Sequence, residues 1–291
     1  MGRIPEAFRW LSVPLVLLAA GCAVQGPARL PACPGKASVQ EALSAVSSRV
    51  EQAVAFRASG QCRLAYYVPD DDGVKRHNLP ILLWFNPPSE VYMQGSIAVD
   101  PKAVVIGSNA EAFWLALRPK EVSAYYWGVW NEAQNVEGLM VSPQVVLEAF
   151  GIVQHDARTD ASDWSLTSEA EYDVLIQHGD GERILKKVYI YTCDYLVRKI
   201  EYFGAEGQII AVAQLDGYKP LAEGFHVPTD ILVKAMAPDG REDTIDIKLS
   251  SIKAKELSEQ ARRQVFTRDP REMEKFEQVY RYRDGDWVSE R

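Results

Sequence analysis

The stretch Leu79–Gly95, which reads LPILLWFNPPSEVYMQG, decides the fold of this chain. Its first part, Leu79–Phe85, is apolar in both alternating sets of positions, which is typical of a strand with both faces covered. The prolines at 87 and 88 end that strand, because proline has no N–H to donate to a neighbouring strand. Beyond them, polar residues alternate with an apolar set formed by Val91, Met93, Gly95, Ile97 and Val99. The pattern therefore predicts two consecutive strands with a break between them.

Further strands are predicted on both sides of this stretch. Upstream, Ala58–Val68 carries apolar residues at alternate positions, as a half-buried strand does. Downstream, short apolar segments predict strands at Ala103–Ile106, Ala112–Leu117 and Ala124–Trp130. Three hairpins follow, and their paired strands are Tyr172–His178 with Arg183–Thr192, Leu196–Phe203 with Gln208–Leu215, and Pro228–Met236 with Thr244–Ser250. This spacing predicts an antiparallel meander of about ten or more strands.

Two helices interrupt the predicted strands. Ser38 and Glu41 fit a capping box, in which both side chains accept hydrogen bonds from free N–H groups. An apolar stripe follows at helical spacing from Val39 to Val54, and the helix is predicted to end near Phe56. The segment Pro143–Phe150 is the second candidate, because Ser142 can cap its first turn. So few helices favour a mainly β (α+β) fold with one large curved antiparallel sheet over a parallel α/β fold.

The first 22 residues have the organisation of a secretory leader. Arg3 and Arg9 precede a ten-residue apolar run, and Gly21 stands directly before Cys22. A basic start, a short apolar core and small residues before a cut are the marks of a signal peptide. Cys22 after Ala-Ala-Gly resembles the bacterial lipobox, whose thiol is acylated before cleavage. We therefore expect residues 1–21 to be a lipoprotein signal peptide and Cys22 to carry acyl chains, palmitate among them, that hold the protein on a membrane.

The residues after Cys22 predict where the anchored protein lies. In Gram-negative bacteria an Asp after the acylated Cys resembles the inner-membrane retention signal, and Ala23 stands there instead. We therefore expect an outer-membrane anchor, with the protein facing the periplasm. Residues 22–37 are rich in proline and glycine and are predicted to be a tether. Residues 38–291 are predicted to form a single domain with a polar C-terminal tail, of which Arg281–Arg291 is either solvated or in contact with a partner.

Composition and motifs exclude several classes of function. Of the 291 residues 47% are hydrophobic, which is too many for a disordered chain. The net charge of −8 argues against a nucleic-acid partner. The four histidines are scattered, and no zinc spacing, nucleophile motif or phosphate-binding loop is present. No metal, cofactor or enzymatic activity is therefore predicted.

Three cysteines remain once Cys22 is set aside, namely Cys33, Cys62 and Cys193. The predicted compartment is oxidising, so one disulfide is possible and one thiol is left over. The sequence does not choose the pair, and three buried small side chains without a disulfide are the alternative.

Aromatic residues are concentrated in the first half of the predicted sheet, as Trp84-Phe85, Phe113-Trp114 and the segment 125–130. Neighbouring side chains of a strand point to opposite faces, so these pairs place bulk on both faces. One interpretation is a packed core with further aromatic residues outside. The other is an apolar concave groove, in which burial alone holds an acyl chain at ~0.8 kcal/mol per CH₂. We expect the concave face to be formed by Leu64, Tyr66, Leu83, Phe85, Met93, Phe113, Leu115, Tyr126, Ile231, Val233, Ile245 and Ile247.

The order of these segments resembles the LolA/LolB-like superfamily of periplasmic lipoprotein carriers and outer-membrane lipoprotein receptors. The similar parts are the leading helix Ser38–Phe56, a strand through Ser59-Gly60, LPILLWFNPPSEVYMQG (79–95), AEAFWLALRPKEVSAYYWG (110–128), PQVVLEAFG (143–151), LVRKIEYFGAEGQ (196–208), FHVPTDILVKA (225–235) and Val265-Phe266 before Pro270. The resemblance implies an open half-barrel of about 11 strands, in which two or three helices cover a concave lipid-binding face.

The resemblance leaves the activity open, since the superfamily also includes lipid transporters and stress-sensor subunits. A lipobox at Cys22 argues against the role of a soluble carrier. We expect a non-enzymatic, membrane-anchored periplasmic protein that binds acyl chains of a lipid or lipoprotein and takes part in sorting to the outer membrane. The alternative is a structural or interaction lipoprotein with an envelope protein as its partner and a groove filled by its own helix. A hydrolase is a third hypothesis without a supporting motif. An open concave face favours acyl binding, whereas a filled face favours the alternative.

Overall fold

The computed structural model describes residues 33–68, 73–98, 100–119, 122–130, 145, 148–150, 161–236, 240–283 and 286–291. The predicted signal peptide, Cys22 and the first part of the tether lie outside these residues, so lipidation stays a prediction. Within the described ranges, no helix is both long and apolar enough to cross a bilayer.

The described residues are mainly strands. In chain order they are β1 (Phe56–Val68), β2 (Gly73–Asn86), β3 (Glu90–Ile97), β4 (Asp100–Ser108), β5 (Ala112–Leu117), β6 (Ala124–Val129), β7 (Trp164–Glu169), β8 (Tyr172–His178), β9 (Ile184–Tyr191), β10 (Val197–Phe203), β11 (Ile209–Asp216), β12 (Lys219–Ala222), β13 (Phe225–Val227), β14 (Asp230–Met236), β15 (Glu242–Ala254), β16 (Gln278–Arg283) and β17 (Asp286–Ser289). Every strand predicted from the sequence has a counterpart among them, whereas β7, β12, β13, β16 and β17 were not predicted.

Fifteen of these strands form one open curved sheet in the order β17-β16-β6-β5-β4-β3-β2-β1-β15-β14-β11-β10-β9-β8-β7. The estimate of about 11 strands is therefore too low. The sheet is also not wholly antiparallel, because β16 runs parallel to β6, with Tyr280 beside Tyr126. The C-terminal residues, whose default interpretation was a solvated end, form the β16–β17 hairpin that extends this edge. Strands β16 and β17 therefore account for two of the strands by which the sheet exceeds the predicted number.

Strand β1 lies in the middle of the sheet and joins its two halves. It pairs with β2 on one side and with β15 on the other, so Leu64 lies beside both His77 and Ile245. The register of β1 with β15 shifts at Ser59 and Gly60. A Cβ on Gly60 would lie 2.1 Å from the carbonyl oxygen of Lys248, so only glycine allows this close approach of the two backbones. Strands from distant parts of the chain therefore share one surface.

Helix α1 (Val39–Glu51) begins as the capping box predicts. The Ser38 hydroxyl accepts a hydrogen bond from the Glu41 N–H at 3.2 Å, and the Glu41 carboxylate accepts one from the Ala37 N–H. The helix ends before the predicted limit, because Phe56 already starts β1 and is fully buried. Of the second predicted helix, Val145, Glu148 and Ala149 are described and have helical backbone.

Helix α2 (Glu259–Phe266), which was not predicted, lies outside the concave side. Arg262 donates to the Glu90 carboxylate at 2.6 Å. Glu90 belongs to the opposite set of β3 positions from the buried Val91 and Met93, so α2 contacts the outer face. The expectation that the helices cover the concave face therefore fails for α2, because Arg262 of α2 binds Glu90 on the outer face.

The sheet buries one face more completely than the other. In β2 the inner residues Leu79, Ile81, Leu83 and Phe85 are buried, whereas Pro80 is exposed and Leu82 and Trp84 are half-buried. The expectation that both faces of this strand are covered is therefore met in full only on the inner face, since the outer face is partly covered. Trp84 is shielded there by cationic side chains, with Arg57 at 5.4 Å and Lys255 at 5.6 Å from its ring. Long side chains with charged ends can cover such apolar surface while remaining hydrated.

Candidate functional site

The twelve residues predicted for the concave face share one face of the sheet. Ten of them belong to the main apolar core, which runs across β1 to β5 and on through β15, β14, β11, β10 and β9. Tyr126 packs at the margin of this core, and Phe113 belongs to a small neighbouring cluster with Tyr282. The strand phases read from the sequence are therefore those of the folded sheet.

The C-terminal hairpin lines the end of this face where Phe113 and Tyr126 lie. Tyr126 stacks on Tyr280 at 5.0 Å between ring centroids and meets the edge of Trp287 at 5.4 Å. Phe113 packs against Trp130 at 4.8 Å. This hairpin was not predicted, although the Asp-Gly pair at 284–285 is a common hairpin signal.

The concave face is filled by the protein's own side chains over the described residues. Eleven of the twelve predicted residues are buried, and Leu83 and Phe113 are wholly inaccessible. The filling side chains come from outside the sheet: Ala42, Leu43 and Val46 of α1, Val145, Ala149 and Phe150 of the segment 145–150, and Phe225 and Val227 of the small β12–β13 hairpin. We call α1 and the residues 145 and 148–150 the cover. By the criterion set from the sequence, this filling favours the alternative of a self-filled groove.

A buried charged cluster lies between the cover and the sheet. Glu148 is fully buried, and Lys186 on the inner face of β9 is 4% exposed. The Lys186 ammonium donates to Glu148 Oε1 at 2.8 Å, and the Tyr202 hydroxyl donates to Glu148 Oε2 at 2.6 Å. The Lys186 ammonium also lies 5.5 Å from the centre of the Trp164 ring. Burial, and then the adjacent Glu148 carboxylate, raise the pKa of Tyr202 well above its ordinary value, so the phenol stays a hydrogen-bond donor.

A second buried carboxylate holds the chain that leads into α1. Asp173 is fully buried on β8 and accepts hydrogen bonds from the Lys36 N–H at 2.7 Å and from the Tyr195 hydroxyl at 3.1 Å. Gly35 passes so close that a Cβ there would lie 2.1 Å from Asp173 Oδ1. Burial and the Asp173 carboxylate raise the pKa of Tyr195. Residues 33–37, which were expected to be tether, are therefore attached to the sheet.

A disulfide fixes the same end of α1. Cys33 is bonded to Cys193 with 5.0 Å between the Cα atoms, across 160 residues of sequence. Of the three cysteines in the described part of the chain, Cys62 on β1 is the free thiol; it is buried, and burial raises its pKa to about 12. At its other end α1 is held by Arg49, which donates to the carbonyl of Asp194. Both ends of α1 therefore connect to the turn between β9 and β10.

The outer face carries a second aromatic cluster and an open cavity. Outer residues of β4 to β6, such as Trp114 and Tyr125, pack against Phe276 and Val279 of the C-terminal segment. Adjacent aromatic residues thus do place bulk on both faces, as expected. Farther along, a cavity of about 810 Å³ lies over the outer side of β8 to β11, β14 and β15. Its lysines are already paired, since Lys199 lies 2.9 Å from Glu201 and Lys248 lies 3.3 Å from Asp230. This cavity was not predicted, because the alternating polar residues that line it are typical of any solvent-exposed face of a strand.

Sequence reasoning also missed the buried charges of the concave side. Two signals were present: Glu148 is a lone carboxylate inside the apolar run PQVVLEAF, and Lys186 occupies a core-facing position of β9. Each residue alone reads as solvated, because a charged side chain is rarely buried without a partner. Among the described residues, no group of three His, Cys, Asp or Glu side chains could hold a metal ion.

No family model matches this sequence, and no curated protein matches it. Solved structures match its fold. A domain provisionally assigned as an outer membrane lipoprotein-sorting protein, from Vibrio parahaemolyticus, aligns with a TM-score of 0.51 and 11% identity over 78% of this chain and 96% of that domain. A LolA superfamily protein from Nitrosomonas europaea aligns with a TM-score of 0.48 and 14% identity over 80% of this chain and 99% of its own. A DUF1329 family protein from Desulfovibrio piger aligns with a TM-score of 0.49 and 10% identity over 76% of this chain and 95% of its own.

At such identities the likeness concerns the fold. The Vibrio domain shares the overall arrangement of this chain, so the expected fold with one large open sheet is that of a known structure.

Proposed function

We propose that this chain is a non-enzymatic protein of the bacterial cell envelope that binds acyl chains of a lipid or lipoprotein on the concave face of its sheet, when the cover is displaced. The observation that carries the proposal is the largely apolar inner face of the main sheet, which is closed by α1, by residues 145 and 148–150 and by the small β12–β13 hairpin. An acyl chain needs burial but no hydrogen bonds, so this face can replace the contacts of the cover with contacts to a ligand. The fold of a lipoprotein-sorting domain supports the same function.

The attachment of residues 148–150 supports displacement of this part of the cover. Part of the cover is held by the Glu148–Lys186 ion pair inside the apolar core. A buried ion pair contributes little net stability compared with apolar side chains of similar size, because both charges lose their hydration. The Glu148–Lys186 pair therefore adds little to the stability of the closed state. A cover that is released and bound again can be held by such a pair, whereas a permanently closed core would be more stable with apolar side chains in its place.

We further propose that Cys22 carries the lipid anchor and that residues 38–291 act from the outer membrane, facing the periplasm. The lipobox-like sequence before Cys22 and the disulfide between Cys33 and Cys193 both fit an oxidising compartment outside the cytoplasm. Mass spectrometry of the protein extracted from membranes tests this part. An unmodified Cys22 would remove the anchor from the proposal.

Crosslinking with a photoactivatable fatty acid tests acyl binding at a defined place. We expect the label to be assigned to inner residues such as Met93 and Leu115. Outer residues of the same strands, such as Tyr92, should stay unlabelled. Native mass spectrometry of the membrane-purified protein should show copurified lipid. Absence of bound lipid together with labelling confined to the outer face would contradict acyl binding.

The second candidate is a structural or interaction lipoprotein with a permanently filled groove. The burial of eleven of the twelve concave-face residues favours it. In that case, saturating fatty acid leaves the amide hydrogen exchange of α1 unchanged. Acyl binding by displacement of the cover instead speeds exchange in α1, so the same measurement separates the two functions.

A further inference from the structure

A positive charge lies within the otherwise apolar concave face. Lys186 is 4% exposed and projects from the same side of β9 as Val188 and Ile190, which are wholly buried in the main core. An ammonium group at such a place needs an anionic partner, because moving an unpaired charge out of water costs several kcal/mol.

The partner comes from the cover rather than from the sheet. Each oxygen of the Glu148 carboxylate is bound by a different strand: Oε1 by the Lys186 ammonium of β9 at 2.8 Å, and Oε2 by the Tyr202 hydroxyl of β10 at 2.6 Å. Lys186 and Tyr202 are directly paired in the register of these strands. The sheet alone therefore presents two donors spaced for one carboxylate.

Displacing the cover moves Glu148 away from these donors. Once a ligand covers the face, the Lys186 ammonium would be buried without the Glu148 carboxylate, unless the ligand itself supplies an anion. A neutral acyl chain cannot do this, whereas the carboxylate of a fatty acid is the same chemical group as the side chain that leaves. The inference below rests on the proposed acyl binding at this face.

We propose that Lys186 and Tyr202 form a carboxylate-binding subsite within the concave face, and that Glu148 of the cover occupies it in place of the head group of a single-chain anionic lipid. The acyl chain of the ligand follows the apolar residues of the neighbouring strands. Glu148 acts as an internal competitor, so anionic amphiphiles open the cover more readily than neutral amphiphiles of the same length.

Four ligands with one chain length test the subsite in the full chain: hexadecanoate, hexadecyl phosphate, hexadecanol and hexadecylamine. Trp164 is close to Lys186, so tryptophan fluorescence and calorimetry can both follow binding. We expect hexadecanoate to bind about tenfold more tightly than hexadecanol, as one charge-assisted hydrogen bond implies. The amine should bind most weakly. Hexadecyl phosphate at least as tight as hexadecanoate would place the natural ligand among phosphate-headed lipids and overturn the carboxylate assignment.

Variants assign the preference to the subsite. We expect Lys186→Met to lose the preference for the anion, and Glu148→Gln to strengthen hexadecanoate binding about tenfold, because the internal competitor loses its charge. Lys187→Met is the matched control, since Lys187 lies on the outer face with its ammonium over the Phe203 ring, and it should keep the preference. If Lys186→Met fails to fold, the double variant Lys186→Met with Glu148→Leu removes both charges, and it should bind hexadecanol without preferring hexadecanoate.

The outcomes separate this inference from the proposed function. If none of the four ligands binds, acyl binding itself is contradicted and the subsite falls with it. If hexadecanol and hexadecanoate bind equally, or the preference survives in both Lys186 variants, acyl binding stands and the subsite is wrong.

Discussion

The two halves of the concave face are built differently. On β1 to β5 most inner side chains are apolar, with Leu79, Leu83 and Phe85 as members of a packed core. On β8 to β10 the same face also contains Asp173, Lys186 and Tyr202, each held by directional bonds to the cover or to the chain before it. The apolar half supplies burial, which has no preferred direction. The polar half fixes where the cover sits, because hydrogen bonds and ion pairs depend on geometry.

The largest predicted effect breaks the polar half. We expect Lys186→Met to lower the free energy of unfolding by about 4 kcal/mol, because the Glu148 carboxylate stays buried without its cation. Urea denaturation measures the change. The double variant with Glu148→Leu should regain most of the loss, since two apolar side chains can replace a buried pair. A single variant within about 1 kcal/mol of the native protein would show that the pair is not buried in solution.

A slightly smaller effect is expected in the apolar half. Leu83→Ala should lower the free energy of unfolding by about 3 kcal/mol, because the wholly buried side chain leaves a cavity. The neighbouring outer residue Leu82 is half-buried, so Leu82→Ala is the control and should lose about 1 kcal/mol. Equal losses at both positions would mean that the two faces of β2 are covered alike. Denaturation in urea at constant slope gives both values.

Removing the disulfide tests how firmly α1 is tied to the polar half. Cys193→Ser should lower the free energy of unfolding by about 2 kcal/mol, because the crosslink no longer restricts the unfolded chain. Amide exchange should speed up in α1 more than in β2, since Cys33 lies just before this helix. Dithiothreitol should reproduce the effect in the native protein and change nothing in the double variant Cys33→Ser, Cys193→Ser. Equal acceleration in α1 and β2 would argue against a local clamp.

The smallest effect concerns pH in the apolar half. Burial raises the pKa of Cys62 from 9.0 to about 12, so the folded protein keeps this proton after the unfolded chain has lost it. The free energy of unfolding should therefore fall as pH rises from 9 towards 12, with a loss of ~1.4 kcal/mol from this thiol at pH 10. Cys62→Ala should lack that part of the loss. Identical pH profiles for the native protein and the variant would mean that the thiol is accessible to water.

Much of the sheet follows from local pattern. The alternation in 91–97 and the apolar run at 79–85 set the phase of β2 and β3, and the predicted inner residues do lie on one face. The capping box at Ser38 likewise locates the start of α1. Such features depend on neighbours within a few residues, so they are visible in the chain itself.

The missed elements depend on distant partners. Strands β16 and β17 are short and polar, and they are stable beside β6 because Tyr280 and Trp287 pack on Tyr126. Glu148 and Lys186 are 38 residues apart in the chain and read separately as solvated charges. The number of strands in the sheet and the polar half of its inner face therefore could not be predicted from local pattern.

The sequence by itself determined a mainly β protein, the phase of its central strands and the helix that begins at Ser38. It left open which of three cysteines form a disulfide. Only the tertiary structure decided that Cys33 meets Cys193, that fifteen strands of the described residues form the open sheet, and that Glu148 reaches Lys186 inside the concave face. The physical reason is the range of each interaction. Backbone pairing and side-chain alternation repeat every two residues, whereas disulfides and buried ion pairs require that remote segments already share one folded surface.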